Sequence, residues 1–169
     1  MHYITEIKDR GKKCRIIIDD DIVVQLYKGE VRKLGIKADS QFSDESFNEM
    51  YNILNKRARE RSLFLLKDMD KTEKQIRDKL KLGDYPEDII NNAIEFLKKY
   101  GYVDDIRYAK LYISSKQNSK SIKQIELELY KKGVNKEKVS KVLLEMDLSN
   151  EEALNKLIEK IIRKYDLND

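Results

Sequence analysis

Residues 97–109 have the sequence LKKYGYVDDIRYA and connect two stretches of helical periodicity. Two lysines precede Gly101, where the dipole of a preceding helix is negative, and glycine tolerates the left-handed conformation that commonly ends a helix. Asp104 can cap a following helix through its carboxylate, and Asp105 adds negative charge to the first turn. The stretch therefore predicts the end of one helix and, a few residues later, the start of another.

Two copies of a three-helix pattern flank this stretch. Thr72 and Gln75 in the first copy, and Ser121 and Gln124 in the second, have the spacing of a capping box. In this motif the hydroxyl and the amide side chain each satisfy a backbone donor at the helix start. A leading helix precedes each box and an amphipathic helix follows it after a glycine. The spacing of roughly 50 residues is typical of helical repeats.

A third copy is indicated by a further capping box at Ser149 and Glu152. Apolar residues then recur at helical spacing, which predicts a stripe that packs on the preceding copy: Leu154, Leu157, Ile158, Ile161 and Ile162. The sequence stops at Asp169, where the connection to a second helix is expected. We therefore expect only the first helix of this copy, either in a truncated chain or in a short member of its class.

The first part of the chain predicts a small antiparallel β-meander. Residues 3–8, 14–18 and 22–27 are alternating or β-branched runs, and Asp19 to Asp21 form a turn between the last two. This aspartate triplet is expected to be a solvated hairpin tip, because calcium needs about 6–8 oxygen ligands at defined spacing. The predicted fold is mainly α, divided into a β-rich extension (1–42), a long helix with the first repeat (43–100), the second repeat (101–148) and the incomplete third repeat (149–169).

The composition restricts the possible functions. Charged residues make up 39% of the chain and the formal net charge is +4, which permits contact with nucleic acid without requiring it. The single cysteine, Cys14, excludes an internal disulfide and fits a reducing cytoplasm. The sequence contains neither a long apolar run nor a signal-peptide pattern, so we expect no association with a membrane. The single histidine, His2, and the lack of a glycine-rich phosphate loop argue against an enzyme, a metal site or a bound cofactor.

Basic residues are the best binding candidates. Arg57, Arg59 and Arg61 form the densest basic cluster, which is either a solvated helix face or a surface for phosphates or an acidic partner. Reversing the three charges together is expected to weaken partner binding without unfolding the protein. The second copy contributes five lysines as further candidates: Lys116, Lys120, Lys123, Lys131 and Lys132.

Two motifs resemble those of a known family. Residues 101–109 (GYVDDIRYA) are similar to the signature of the RecX regulatory proteins, and residues 128–134 (ELYKKGV) are similar to the second-repeat motif of that family. The similarity extends over essentially the whole chain, although the third repeat is incomplete here. The matching motif positions are Gly101, Tyr102, Asp104, Asp105, Arg107, Tyr108 and Gly133.

The resemblance implies tandem three-helix repeats in an elongated, curved array. It also implies a cytoplasmic, non-catalytic regulator that lies in the groove of the RecA recombinase filament and modulates, chiefly by inhibition, homologous recombination, ATP hydrolysis and coprotease activity in DNA repair and the SOS response. Its partners would be this filament and, weakly, single-stranded or double-stranded DNA, with no membrane and no small-molecule substrate. The alternative is a general basic helical-repeat module that binds nucleic acid independently of RecA. In either case the acidic pair and the arginine of the signature either contact a partner or hold the repeat junction.

Overall fold

The computed structural model describes residues 1–166, except for the side chains of residues 147–153 and 156. Its strands are β1 (His2–Arg10), β2 (Lys13–Ile18), β3 (Ile22–Tyr27) and β4 (Ser40–Phe42). Its helices are α1 (Lys28–Lys33), α2 (Asp44–Leu66), α3 (Glu73–Leu82), α4 (Glu87–Lys99), α5 (Asp105–Lys116), α6 (Ile122–Lys131) and α7 (Lys136–Asp166). The mainly α fold with three-helix repeats and an N-terminal antiparallel sheet is thus confirmed.

The N-terminal sheet contains one strand more than the sequence predicts. Its order is β3-β2-β1-β4, and every neighbouring pair is antiparallel. The turn between β2 and β3 is the predicted aspartate hairpin, in which Asp19 and Asp20 adopt positive φ angles of 53° and 57°. Strand β4 pairs only three residues with β1. So short a strand carries too little alternation to be recognised in the sequence.

Helix α2 joins the sheet to the first repeat. It begins at Asp44, and the hydroxyl of its N-cap, Ser43, accepts a hydrogen bond from the backbone N–H of Ser46 at 3.1 Å. Its buried face recurs every four residues: Met50, Leu54, Ala58 and Ser62. This face belongs to a single hydrophobic cluster with the inward side chains of the sheet and of α4, including Ile16, Val24 and Ile90. The β-rich extension therefore shares its core with the first repeat.

Both predicted capping boxes within the described side chains are confirmed. At α3, the Thr72 N–H donates to the Gln75 side chain at 3.0 Å and the Gln75 N–H donates to the Thr72 hydroxyl at 3.2 Å. At α6, Ser121 and Gln124 make the same pair of bonds, both at 3.2 Å. The two copies of the sequence pattern therefore start their second helices with the same local chemistry.

The chain divides into two compact units, Met1–Asp104 and Asp105–Asp169. The second unit has its own hydrophobic cluster, which α5, α6 and the first part of α7 supply: Ala109, Ile113, Ile125, Leu129, Val134, Val139 and Val142. The repeat boundaries predicted between residues 100 and 101 and between residues 148 and 149 concern repeats and not compact units, so they stay predictions.

Helix α7 differs from the prediction at its centre. The sequence predicts that a new helix begins after Ser149, whereas the structure has one continuous helix, Lys136–Asp166. The segment contains neither glycine nor proline, so nothing in the backbone chemistry ends the helix there. The side chains of the predicted box, Ser149 and Glu152, lie outside the described residues.

The apolar stripe of α7 does not pack as the sequence predicts. Its members remain between 45% and 55% exposed: Leu154, Leu157, Ile158, Ile161 and Ile162. The expectation that the stripe packs on the preceding repeat is therefore wrong. Periodicity shows which residues share a face of a helix, but it does not show which element covers that face.

Candidate functional site

The signature stretch forms the predicted helix end and helix start. Helix α4 ends at Lys99, and Gly101 has a φ of +73°. The backbone N–H groups of Tyr102 and Val103 both donate to the Leu97 carbonyl, at 2.8 and 3.3 Å. This is the closing pattern of a helix that ends in a left-handed residue. The glycine is required by its backbone angle, since open space surrounds the position that a Cβ atom would take.

The acidic pair of the signature has two different environments. Asp104 is exposed, whereas Asp105, the first residue of α5, is only 7% exposed. Asp104, Asp105 and Arg107 all take part in polar or electrostatic contacts. A carboxylate buried this far has little surface left for a partner. Its burial favours a role in fixing the start of α5.

The three arginines of α2 do not form one cluster. Residues four positions apart lie on one face of a helix, whereas a residue two positions away points to another face. Arg57 and Arg61 accordingly line the same cavity. Arg59 lies 5.0 Å from the centre of the Phe96 ring. Sequence proximity alone therefore does not bring the three charges together.

Arg57 is tied to the protein on two sides. Its guanidinium forms an ion pair with Glu30, and both side chains are mostly buried, at 19% and 22% exposure. The guanidinium also lies 4.8 Å from the centre of the Tyr27 ring. Glu30 in turn accepts a hydrogen bond from the Tyr27 N–H at 2.8 Å. Arg57 thus links α2 to the junction between β3 and α1, which is a structural task.

The cavity beside Arg57 has a volume of about 590 Å³. It lies in the first unit, where β2 and β3 meet α2 and α3. Basic and aromatic side chains dominate its lining: Lys13, Tyr27, Arg57, Arg61, Lys79 and Tyr85. Burial raises the pKa of the Tyr85 phenol above its usual value, against the opposing charges of Arg57 and Arg61. A phenol is protonated at neutral pH even at its ordinary pKa of about 10, and the shift extends this state to higher pH.

Several of these residues were not predicted from the sequence. Lys13, Lys79 and the two tyrosines come from β2, α3, β3 and the segment between α3 and α4, and no local motif connects them. Only the packing of the sheet against the helices brings them together. Gly83 allows this packing, because an added Cβ would lie 2.9 Å from the Tyr85 ring. In the sequence, this part of the cavity is indicated only by the position of Gly83 at the end of α3.

The lysines of the second unit divide between paired and exposed groups. Lys120 forms an ion pair with Glu128, whose carboxylate also accepts a hydrogen bond from the Tyr112 hydroxyl. The Lys120 ammonium and the Tyr112 hydroxyl lower the pKa of the Glu128 carboxyl below its usual value. The hydrogen bond to Glu128 raises the pKa of Tyr112 to about 12. These three side chains form a network that ties α5 to α6.

The remaining lysines surround this network or face solvent. The Lys132 ammonium lies 5.5 Å from the centre of the Tyr112 ring, and Lys116 is partly exposed. Lys123 and Lys131 are exposed, and no carboxylate of the described residues lies within 4.0 Å of either ammonium. Of the five lysine candidates, these last two are the best placed to meet a partner.

The described residues hold no group of three or more histidine, cysteine or acidic side chains arranged to bind a metal ion. Over the same part of the chain, no helix combines the length and the apolar character needed to cross a membrane.

Comparisons with known proteins agree with the repeat architecture. The family model "RecX, first three-helix domain" matches residues 58–97. A regulatory protein RecX from Clostridium beijerinckii is 35% identical over 148 residues, covering 86% of this chain and 70% of its own length. The chain belongs to the RecX regulatory protein family. A second RecX, from Clostridium botulinum strain Eklund 17B, is 33% identical over 150 residues, with the same two coverages of 86% and 70%. These relatives support a regulatory role for the chain.

Two crystal structures of RecX proteins share the fold. A structure of a regulatory protein RecX superposes with a TM-score of 0.55 at 20% identity, over 86% of this chain and 74% of that chain. RecX from Lactobacillus salivarius gives a TM-score of 0.53 at 28% identity, over 55% of this chain and 62% of that chain. The first of these likenesses concerns the fold alone.

Proposed function

We propose that this RecX protein binds the RecA recombinase filament in its groove and restrains recombination, ATP hydrolysis and coprotease activity without catalysing a reaction. The observation that carries the proposal is the signature at residues 101–109 within a chain of the RecX family. The protein would act in the cytoplasm during DNA repair and the SOS response. Its affinity for bare DNA would be weak, because the formal net charge is only +4.

The charges of the described residues support a partner surface that is partly protein. Five of the eight basic candidates contact a carboxylate or an aromatic ring of the same chain, as Arg57 does with Glu30 and Lys120 does with Glu128. A protein that bound only through phosphates would need many uncommitted cations. Lys123 and Lys131 are exposed on α6 and are the candidates for contact with the filament.

The proposal is tested by measuring binding of the full chain to a preformed RecA filament on single-stranded DNA and to the same DNA alone. Both measurements are made at low and at physiological salt. Preferential binding to the filament that persists at physiological salt is the expected result. Equal binding to both, falling with a slope near −0.7 per phosphate contacted, would instead identify a general nucleic-acid module and contradict the proposal.

Reversing the charges of exposed lysines on α6 tests whether this helix contacts the filament. Lys123→Glu combined with Lys131→Glu should weaken filament binding while leaving the helix content unchanged, because both side chains are exposed. The matched control is Lys12→Glu combined with Lys37→Glu, since both lysines are exposed, lie outside the candidate set and have no carboxylate of the described residues within 4.0 Å. Equal losses in the double variant and in the control would exclude α6 as the contact surface.

A further inference from the structure

We propose that the cavity between the sheet and helices α2 and α3 is a nucleotide-binding site. Its cations would hold the phosphate, and its aromatic and apolar wall would contact the base. The inference goes beyond the regulation of RecA, because the site lies within the first unit and requires no recombinase. Its volume of about 590 Å³ falls within the range of about 300–1,000 Å³ typical of small-ligand pockets.

The cavity has an excess of positive charge. Four basic side chains line it, against the single carboxylate of Glu60. Arg57 is already paired with Glu30. For Lys13, Arg61 and Lys79, however, no carboxylate of the described residues lies within 4.0 Å of the charged group. An anionic ligand would supply the missing counter-charge, and phosphate oxygens accept such charge-assisted hydrogen bonds well.

Tyr85 adds a neutral donor to these cations. Its side chain is half-buried, and its hydroxyl makes no hydrogen bond to any other described residue. Arg57 and Arg61 line the same cavity, and their charges oppose the rise in the pKa of the phenol that burial causes. A hydroxyl beside guanidinium and ammonium groups matches the oxygens of a phosphate, which accept several hydrogen bonds from different directions.

The rest of the lining fits a planar organic group. A lone phosphate ion would fill only a small part of the cavity and would leave its uncharged wall in water. The Lys13 ammonium and the Arg57 guanidinium lie 5.0 and 4.8 Å from the centre of the Tyr27 ring. Tyr27 still remains 43% exposed and Leu82 is 77% exposed, so both present apolar surface at this site. Aromatic side chains stack on any nucleobase, because every base has a π face. A nucleotide unit combines the two chemistries that the cavity offers.

A nucleotide unit can come from a free nucleotide or from a single strand of nucleic acid. The chemistry in the cavity is the same for both sources. The full chain, without recombinase, is therefore titrated by isothermal calorimetry with inorganic phosphate, thymidine monophosphate, adenosine monophosphate and a short oligothymidylate. Tighter binding of either mononucleotide than of phosphate identifies the free nucleotide as a ligand. Binding of the oligomer alone identifies the strand as the source.

Matched variants separate the cavity from general surface charge. Arg61→Ala and Lys79→Ala each remove one lining cation. Their controls, Arg59→Ala and Lys81→Ala, remove one exposed cation from the same two helices but outside the cavity. We expect each lining variant to weaken binding about tenfold, since each loses a charge-assisted contact. The controls should change binding less than about twofold by the same reasoning. Tyr85→Phe should weaken binding while keeping the ring.

Three results would overturn the inference. The first is a lack of measurable binding of either mononucleotide or the oligomer by the folded wild type. The second is binding of phosphate as tight as that of the nucleotides, which would remove the role of the aromatic wall. The third is an equal loss of affinity in the lining variants and their controls, which would assign the binding to net charge. None of these results bears on RecA, so they are distinguishable from a failure of the proposed function.

Discussion

The ion pair between Arg57 and Glu30 should be the polar contact that contributes most to the stability of the first unit. Both side chains are mostly buried, so solvent screens their attraction only weakly. A hydrogen bond to a charged group contributes about 1.5–3 kcal/mol, and the contact with the Tyr27 ring adds about 0.5–1 kcal/mol. We therefore expect Arg57→Met to reduce the free energy of unfolding by about 2–4 kcal/mol.

A double-mutant cycle isolates the pair. Glu30→Gln removes the charge but retains an oxygen that can accept the Tyr27 N–H, so it should cost less than Arg57→Met. In the combined variant the total loss should be smaller than the sum of the single losses by about 1–2 kcal/mol, because the second substitution has no pair left to break. Native-state amide exchange in β3 and α2 measures the free energy for this unit separately from the second unit.

The result that would refute this reasoning is additivity. If the single losses sum to the loss of the double variant within about 0.3 kcal/mol, the pair contributes nothing of its own. Arg61→Met is the matched control on the same helix. Its exposed guanidinium has no acidic partner among the described residues, so the variant should lose less than about 0.5 kcal/mol.

Three further predictions concern the repeats. Ile125→Ala should reduce the free energy of unfolding by about 2–5 kcal/mol, because the side chain is fully buried, whereas Leu127→Ala, at 52% exposure, should have little effect; urea denaturation compares the two. Thr72→Ala removes a cap and should cost about 1 kcal/mol, measured by amide exchange in α3. Because the hydrogen bond to Glu128 raises the pKa of Tyr112 to about 12, its stabilising effect should persist at pH 10 and disappear as the pH rises towards 12. Glu128→Gln should lower this pKa towards 10, detected as earlier absorbance of the phenolate, and an unchanged titration would contradict the role of that bond.

The local part of the fold could be predicted from the sequence because its determinants are short-ranged. A capping box needs two side chains three residues apart, and both the Thr72 and the Ser121 boxes form as expected. The left-handed glycine at position 101 likewise follows from its immediate neighbours. The apolar spacing of α2 and α4 identifies their buried faces, since the helical period fixes which residues align.

The features that could not be predicted depend on contacts between distant segments. Strand β4 exists because β1 offers it a free edge, and three residues give no signal of their own. The cavity of the first unit gathers Lys13 and Lys79 from a strand and a helix that are far apart in sequence. The sequence does not show that Arg57 is paired, because its partner Glu30 lies 27 positions away.

This difference among the arginines changes how the basic surface must be probed. Reversing Arg57, Arg59 and Arg61 together would place a new carboxylate at position 57 beside Glu30, in a site where both side chains are mostly buried. Like charges in such a site repel strongly, so the triple variant should lose several kcal/mol of stability. Weakened binding by that variant could then result either from unfolding or from the loss of a contact with the partner. We therefore no longer expect the triple reversal to leave the protein folded. Arg61→Glu keeps the ion pair between Arg57 and Glu30 intact and changes an exposed charge, so a loss of binding in that variant can be assigned to the side of α2 that carries Arg61 and not to unfolding.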